Sequence, residues 1–448
     1  MAILARLLPP SEFGLVAMTT TTVGLLAIFR EFGLVSAAIQ APELPTEDRD
    51  ALFWFNALLT FAVAALVILL APMVATFYKE PRLTTLLDLA TVGFLISGIA
   101  AQHNAVLRRD LRLGSIFTAD AAGLLAGSVV SIVLARATAD ASAAVLGLVA
   151  QSLVSSAAII YLARWLPGRP VNLCRHLKHA AFGANVSTFS FLNYLTNNIA
   201  LILVGYWRDA ATTGFFSRAQ SLYTLPGSFI LTPYLQVQFP LLCRAVGDDH
   251  RTRSLYGKLL LVTGAAFIPI ATTLPFVATE LTHILLGPNW TEAGRIFAWY
   301  SPALAALGLV GPFGQYMMSQ GRVRELRIWG FGDLILRGGG AAIGAYFGSQ
   351  YAAAGFSFAT LFLATPIIVW LTQRTGPFRM RDYIACCVPG MILGTATGAA
   401  GCISSQISGV GPLSLVFILG ASATAWLTTA ICLRSTRTLL LGFLGGDR

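Results

Sequence analysis

The chain has 448 residues, of which 56% are hydrophobic and only 11% are charged. Soluble domains carry roughly 25% charged residues, so this composition cannot cover a water-facing surface of matching size. It excludes a soluble enzyme, a soluble nucleic-acid-binding protein and a disordered chain. Apolar stretches of about 20 residues, each long enough to cross ~30 Å of hydrocarbon, recur from end to end and identify a polytopic membrane protein.

Apolar runs broken by charged residues, proline and glycine predict thirteen membrane-spanning helices. The loops between them are short, so we expect no extramembrane domain that holds an active site. The sequence therefore predicts an all-α membrane protein that is not an enzyme and works inside the bilayer. In chain order the predicted spans are 14–39, 51–77, 84–106, 114–135, 141–163, 180–205, 213–240, 257–286, 294–318, 326–348, 351–372, 383–404 and 411–433.

Basic residues are distributed unevenly between the two sets of loops. If the loop after the first predicted span is cytoplasmic, 21 of the 30 lysines and arginines lie on that face and only six on the opposite face. The remaining three, Arg30, Arg218 and Arg337, lie inside spans. Because positively charged loops stay in the cytoplasm, we expect a multi-pass plasma-membrane protein with a cytoplasmic C-terminus. The net charge of +10 then reports membrane topology and not a nucleic-acid partner.

The same orientation places the N-terminus on the far side of the membrane. No cleavable signal sequence is visible, and only a few apolar residues precede Pro9. We interpret this start as the remnant of a first helix, which would make the ancestral number of spans fourteen. An apolar segment encoded in frame upstream of Met1 would support this interpretation, and a stop codon directly upstream would contradict it.

An internal repeat relates the two halves of the chain. Three local matches recur in order at spacings near 200 residues, and each pair lies at the same point of predicted helices that are six apart. Since six is even, both halves share one orientation, which is the parallel-repeat plan of many transporters. The matches pair Phe13-Gly14 with Thr213-Gly214, Pro72–Thr76 with Pro275–Thr279, and Arg109–Arg112 with Arg324–Arg327.

This repeat predicts two pseudosymmetric six-helix lobes followed by two C-terminal helices. The N-terminal lobe covers residues 1–170 and contains the remnant of the first helix, the C-terminal lobe covers 171–375, and the terminal pair covers 376–448. Two such lobes can rock against one another about a central site, so the plan suits alternating access.

A family resemblance is carried by five segments: Ile3–Pro9, Glu12–Met18, Phe32–Gln40, Asn193–Gly205 and Gly287–Trp290. They resemble the Wzx-type polysaccharide and O-antigen flippases of the multidrug/oligosaccharidyl-lipid/polysaccharide exporter (MOP) superfamily, and the resemblance covers essentially the whole chain. It implies two six-helix lobes around a central cavity. It also implies movement of an undecaprenyl-pyrophosphate-linked oligosaccharide across the bacterial inner membrane for exopolysaccharide or lipopolysaccharide assembly.

The sequence departs from this family at two points. Most of the first helix is absent, and Ala200 stands where many relatives have Asp. The second departure speaks against ion coupling at that position.

Two intramembrane arginines are the candidates for binding a pyrophosphate. Each costs ~3 kcal/mol on insertion scales unless it faces water or a partner. Arg30 shares a helix face with Thr19 and Thr22, and Arg218 begins a second polar stripe that includes Ser221. Both stripes are compatible with lining a cavity between the two lobes. The alternative is that the acidic neighbour of Arg30 neutralises it, and that Arg218 is solvated near the outer surface.

The predicted span 180–205 is unusually polar. Contacts between helices explain one or two such residues, but six across a wide face are better explained by a wet cavity that binds the sugar. For the lipid tail, the resemblance implies an apolar groove at the last two spans. The expected sugar-lining residues are Ser187, Ser190, Asn193, Tyr194, Asn197 and Asn198.

Three acids are candidates for ion coupling: Asp120, Glu31 and Asp333. Asp120 either carries a coupling proton or bonds to a neighbouring helix. Asp333 lies four residues before Arg337, the order that favours an ion pair, and so has a structural alternative. The intramembrane histidines have no companion at metal-ligand spacing, so we expect no metal site and no cofactor.

The leading hypothesis is a flippase that works on a lipid-linked oligosaccharide, with membrane lipids and a polysaccharide polymerase or export complex as candidate partners. A small-molecule or drug antiporter of the same superfamily stays open, as does a non-transporting scaffold of polysaccharide assembly. An enzyme of polysaccharide assembly is disfavoured because such enzymes usually carry a large outer loop. The sequence does not identify the glycan, the coupling ion or the energy source.

Overall fold

The computed structural model describes residues 2–31, 46–168, 180–408 and 412–433, and within these ranges it consists of helices joined by short turns without any strand. This confirms the predicted all-α membrane architecture. The chain packs as two compact units, Met1–Gly214 and Phe215–Arg448.

In its described residues, the first unit contains seven helices and the start of an eighth. Small residues allow α5 and α6 in this unit to approach closely. A Cβ atom on Gly127 would lie only 2.6 Å from the carbonyl oxygen of Gly147. The helices are α1 (Ala2–Leu7), α2 (Pro10–Glu31), α3 (Thr46–Tyr78), α4 (Leu83–Arg109), α5 (Leu113–Thr138), α6 (Ala141–Ala163), α7 (Ala180–Trp207) and α8 (Ala210–Pro226).

The part of the second unit that the structure describes contains the continuation of α8 and ten further α-helices. Three π-helical segments, Gly227–Leu231, Leu334–Gly338 and Ala359–Ala364, interrupt its spans. The helices are α9 (Thr232–Arg244), α10 (Asp249–Leu286), α11 (Thr291–Ala298), α12 (Ser301–Ser319), α13 (Val323–Asp333), α14 (Gly339–Phe347), α15 (Ser349–Phe358), α16 (Thr365–Thr375), α17 (Met380–Ser408) and α18 (Pro412–Cys432).

Each of the thirteen predicted spans coincides with helix in the described residues, but fewer qualify as spans. Nine described helices are long and apolar enough to cross a membrane, or ten if Pro288–Ala298 and Ser301–Ser319, which meet at 54°, form one bent span. The predicted spans 213–240 and 326–348 are divided by π-helical segments, so neither contains one long uninterrupted α-helix. The number thirteen stays a prediction.

Helix boundaries differ from the predicted ones where local capping decides them. The span predicted from residue 257 begins at Asp249, because the Asp248 carboxylate accepts the backbone N–H of Arg251 and caps a helix that extends beyond the apolar stretch. The first span begins at Pro10, since proline suits the first helical turn. Its predicted end at residue 39 lies outside the described residues.

The packing boundary after Gly214 differs from the boundary at residue 170 that the repeat suggests. Helix α7 packs with the N-terminal unit, where the Tyr194 hydroxyl donates to the carbonyl oxygen of Thr21 at 2.9 Å. Gly205, near the end of α7, lies against the ring of Tyr78. The three-part division into lobes and terminal pair stays a prediction about the sequence repeat.

Candidate functional site

Arg30 lies near the end of α2 and extends onto α4. Its Nη1 atom donates to the Ser97 hydroxyl at 3.0 Å and to the Phe94 carbonyl oxygen at 3.3 Å. Its guanidinium carbon lies 4.7 Å from the centre of the Phe94 ring. Polar acceptors and an aromatic face both stabilise a guanidinium inside a membrane. The side chain of Glu31, the expected alternative partner, lies outside the described residues.

Arg30 lines a cavity of about 270 Å³ between α2, α4 and α6, which we call the Arg30 cavity. Thr19 also lines it, whereas Thr22 is not among its lining residues. The cavity expected between the lobes stays a prediction. Both threonine hydroxyls donate back to their own helix, Thr19 to Leu15 and Thr22 to Met18. The Thr19 oxygen can still accept a hydrogen bond.

A second cavity of about 220 Å³, the Asp120 cavity, lies between α4, α5 and α6. The Ser155 hydroxyl donates to the Asp120 carboxylate at 2.7 Å. Ser97 and Ser152 line this cavity and also the Arg30 cavity, so the two share a polar wall. The remaining polar lining residues are Asn104, Gln151 and Ser156.

The polar residues of α7 mostly bond within the helix or to α2. The Asn197 amide donates to the carbonyl and side-chain oxygens of Asn193, both at 2.8 Å, and the Asn198 amide donates to the Tyr194 carbonyl oxygen at 2.9 Å. Ser190 is exposed, and the side chain of Ser187 lies outside the described residues. These contacts match the alternative role of polar bonding in and between helices, and the sugar-binding role of these residues stays a prediction.

Arg218 is half-buried on α8, in the second unit. Its Nε atom lies 3.4 Å from the Ser217 hydroxyl, and the Ser221 hydroxyl donates to the Ser217 carbonyl oxygen at 2.8 Å. Both contacts involve Ser217, which is not part of the predicted stripe, so the stripe and pyrophosphate binding there stay predictions.

Asp333 and Arg337 form a bidentate ion pair where α13 passes into a π-helical segment. Their side chains are only 6% and 12% exposed, and the Arg337 guanidinium lies 5.4 Å from the centre of the Phe356 ring. The i to i+4 spacing indicated this pair. Since the two charges neutralise each other, the geometry favours the structural reading of Asp333 over ion coupling.

The second unit contains an apolar groove of about 720 Å³. Helices α8, α10 and α18 contribute most of its walls, so the last predicted span takes part, and a role for the groove in holding the lipid tail stays a prediction. Trp426 on α18 lines the groove, and its indole N–H donates to the Ala265 carbonyl oxygen at 3.1 Å. The other lining residues are largely aliphatic or aromatic, and include Leu222, Phe229, Leu281, Leu419 and Leu427.

Comparison with known protein families assigns the chain to one of them. A family model described as "Polysaccharide biosynthesis protein" matches residues 3–295, which is more than half of the chain. The chain belongs to this family. This match confirms the resemblance at the level of the family.

Similar members of the polysaccharide biosynthesis family come from several bacteria. The chain is 25% identical over 332 residues to the lipopolysaccharide biosynthesis protein WzxC of Escherichia coli K12, covering 72% of this chain and 66% of that protein. It is 25% identical over 349 residues to the succinoglycan biosynthesis transport protein ExoT of Rhizobium meliloti, covering 78% and 70%. The matched part spans about two thirds of these relatives' length.

Two solved structures share the fold of this family member. The lipid II flippase MurJ in an inward closed conformation superimposes with a TM-score of 0.76 over 98% of this chain and 96% of that chain, at 12% sequence identity. A multidrug resistance MATE transporter of the MOP superfamily gives 0.69 over 83% and 92%, at 14% identity. At these identities the likeness shows a common helical fold.

Sequence reasoning missed the polar wall that the two cavities share in this family member. Ser97 and Ser152 lie on different helices, and no spacing rule connects residues so far apart in the chain. One signal was available: Gln151, Ser152, Ser155 and Ser156 form a polar cluster inside the otherwise apolar helix α6.

Proposed function

We propose that this protein flips an undecaprenyl-pyrophosphate-linked oligosaccharide repeat unit across the bacterial inner membrane by alternating access, with its C-terminus in the cytoplasm. The observation that carries the proposal is Arg30, whose guanidinium donates to Ser97 and to the Phe94 carbonyl oxygen at the wall of a cavity in the first unit. Its relatives include a lipopolysaccharide biosynthesis protein and a succinoglycan biosynthesis transport protein, which supports the same substrate class.

The pyrophosphate is the part of this substrate that needs cations. A guanidinium binds phosphate oxygens through several N–H donors in a fixed plane, which makes arginine better suited than lysine to this task. Arg30 and Arg218 supply the two charges in our proposal. Ser221 and Thr19 add hydroxyl groups on the same helices, and the amides of α7 contribute to sugar binding.

The lipid tail needs an apolar surface that it can leave again. The apolar groove of the second unit offers about 720 Å³ bounded by aliphatic and aromatic side chains. Burying a polyisoprenoid there is favoured over water by roughly 25 cal/mol per Å² of apolar surface, but hardly at all over bilayer lipid. Such a groove therefore guides a lipid tail without trapping it.

Replacement of the two arginines tests the proposal. In a strain that lacks the gene, we expect Arg30→Ala and Arg218→Ala to lower surface polysaccharide at least about tenfold at unchanged protein level, a loss of about 1.4 kcal/mol or more in binding. Lipid-linked oligosaccharide should accumulate in the same cells. Arg136→Ala is the matched control, because Arg136 is exposed near the end of α5 and lines neither cavity.

Unimpaired export by both arginine variants would remove the pyrophosphate assignment. Drug susceptibility of the deletion strain distinguishes a drug antiporter from a flippase. Loss of a drug antiporter makes cells more sensitive to drugs but leaves the amount of surface polysaccharide unchanged. A polysaccharide polymerase or export complex as partner is tested by co-purification with this chain.

A further inference from the structure

A glycine on α5 brings α6 close enough to build the Asp120 cavity. A Cβ atom added to Gly123 would lie 2.8 Å from both the Ser155 Cβ atom and the Gln151 carbonyl oxygen. About one turn before Gly123, the Asp120 carboxylate accepts the Ser155 hydroxyl at 2.7 Å. Asp120 is exposed, so a ligand can reach its carboxylate. The close approach therefore gathers polar side chains of both helices around one accessible cavity.

Several polar groups of this cavity have hydrogen-bonding capacity that the described residues do not use. The Asn104 side-chain oxygen accepts the Arg108 Nε–H at 2.7 Å, which leaves the Asn104 NH₂ group as a donor. Asp120 keeps its second carboxylate oxygen as an acceptor. Within the described residues, no side-chain hydrogen bond is formed by Gln151, Ser152 and Ser156. The cavity thus offers its occupant a donor, an acceptor and three groups that are both.

The rest of the lining is apolar and small. It consists of Ala100 and Ala101 on α4 and Ile159 on α6. A sugar ring carries hydroxyl groups around its edge and C–H groups on its two faces, so it needs this combination of hydrogen-bonding and apolar surface. At about 220 Å³ the cavity is smaller than the pockets of roughly 300–1,000 Å³ that hold drug-sized ligands. Its size and lining suit a single sugar ring.

The Asp120 cavity adjoins the proposed pyrophosphate site. Ser97 accepts the hydrogen bond from Arg30 Nη1 at 3.0 Å and lines both cavities, and Ser152 lines both as well. In a pyrophosphate-linked oligosaccharide, one sugar is bonded to the pyrophosphate through a single oxygen atom. A site for that sugar must lie next to the site for the pyrophosphate, and a shared wall of small serine side chains provides this adjacency.

Charge distinguishes the two cavities. Arg30 lines the Arg30 cavity and not the Asp120 cavity, and Asp120 lines its own cavity and not the other. A carboxylate repels phosphate, but it accepts strong hydrogen bonds from the hydroxyl groups of a neutral sugar. The anionic part of the substrate is therefore favoured on the Arg30 side of the wall, and the neutral sugar on the Asp120 side.

We infer that the Asp120 cavity binds the sugar that is bonded directly to the pyrophosphate, and that Asp120, Asn104 and Gln151 select this sugar by the positions of its hydroxyl groups. Asp120 only accepts and the Asn104 NH₂ group only donates, so a displaced hydroxyl leaves one of them without a partner. A site built to bind hydroxyl groups rejects analogues that lack them much more strongly than an apolar pocket does. The inference rests on the proposed function and specifies which part of the substrate is recognised.

Binding of short-chain substrate analogues to the purified full-length protein in detergent tests the inference. The probes are farnesyl diphosphate esterified with glucose, galactose or N-acetylglucosamine, and the methyl ester of farnesyl diphosphate, which has the same charge but no sugar. The readout is the affinity of each sugar probe divided by that of the methyl ester in the same protein. We expect this ratio to reach about ten in the wild type for at least one sugar, and to differ among the sugars.

Two variants remove different partners of the sugar. We expect Asp120→Asn and Ser156→Ala each to lower the highest ratio several-fold, and the use of a ratio cancels any general loss of active protein. Asp88→Asn is the matched control for the first, because Asp88 is an exposed acid on α4 that lines neither cavity. Ser115→Ala is the control for the second, since Ser115 is a half-buried serine on α5 outside both linings. Both controls should keep the wild-type ratio.

Failure of the sugar site is distinguishable from failure of the proposed function. A ratio near one for every sugar in the wild type, or a ratio that Asp120→Asn and Ser156→Ala leave unchanged, would overturn the sugar site alone if Arg30→Ala still weakens binding of the methyl ester. A methyl ester that does not bind, or that binds independently of Arg30, would remove the pyrophosphate assignment and the sugar site with it.

Discussion

A Cβ atom added to Gly14 would lie 1.7 Å from the carbonyl oxygen of Ala210, so the first turns of α2 and α8 meet backbone to backbone. The contact is reciprocal, because a Cβ atom on Gly214 would lie 1.9 Å from the carbonyl oxygen of Pro10. Gly14 and Gly214 are 200 residues apart, and so are Pro10 and Ala210, whose carbonyl groups they meet. This is the spacing of the sequence match. This crossing thus joins equivalent points of the internal repeat.

We expect Gly14→Ala to destabilise the protein by about 1–3 kcal/mol, as overpacking against a rigid group does. The neighbour is a backbone carbonyl, which cannot rotate away as a flexible side chain would. Thermal unfolding of the purified protein measures the effect. Gly114→Ala is the matched control, since a Cβ atom there would meet nothing within 4 Å and alanine favours helix. Equal melting temperatures for the two variants would contradict the close crossing.

Much of the fold was predictable because the bilayer demands continuous apolar helices. The span predicted over 141–163 coincides with α6, Ala141–Ala163. A hydropathy pattern cannot reveal the π-helical segments. Their residues are as apolar as those of the α-helices around them, and only the backbone hydrogen bonding differs. The predicted spans around Gly227–Leu231 and Leu334–Gly338 therefore lack one continuous α-helix.

The candidate site was predictable only in part. Arg30 stood out because charges inside spans are rare, but its partners Phe94 and Ser97 lie on another helix, and no local pattern indicates them. Conversely, the polarity of α7 suggested a wet face, whereas Tyr194 donates to the backbone of α2. Composition detects polar groups inside a membrane, but tertiary packing decides whether they face a cavity or a helix.

Asp209 caps the helix that carries Arg218. Its carboxylate accepts the backbone N–H of Thr212 at 3.1 Å, and the hydrogen bonds from Thr212 lower the pKa of Asp209. We expect Asp209→Ala to cost about 1 kcal/mol and Asp209→Ser to retain most of the stability.

The same cap should depend on pH. Because the folded pKa is lowered, the ionised cap stabilises the protein above the unfolded pKa of about 3.9, and this contribution is lost as the pH falls through the folded pKa. Melting temperatures measured from neutral to strongly acidic pH check this, with the difference between wild type and Asp209→Ala shrinking at the acidic end. A difference that grows on acidification would contradict the assigned role.

The buried pair of Asp333 and Arg337 should be sensitive to loss of one partner and tolerant of loss of both. Asp333→Asn leaves an almost fully buried guanidinium without its counter-charge, which typically costs about 3–5 kcal/mol. The double variant Asp333→Leu, Arg337→Met removes both charges and should recover most of this loss. Protein level and thermal unfolding of Asp333→Leu, Arg337→Met and the double variant form the cycle. Additive effects would show that the pair is not coupled.

The apolar groove can be filled from α18 without disturbing the core. Ala423 lines the groove and is exposed to it, whereas the exposed neighbour Thr424 is not among the lining residues. We expect Ala423→Trp to lower polysaccharide export several-fold, because an indole ring occupies part of the space that a lipid tail would use. Thr424→Trp adds the same bulk one position along the helix and should leave export near the wild-type level. Equal export by the two variants, at equal protein level, would show that the substrate does not pass through the groove.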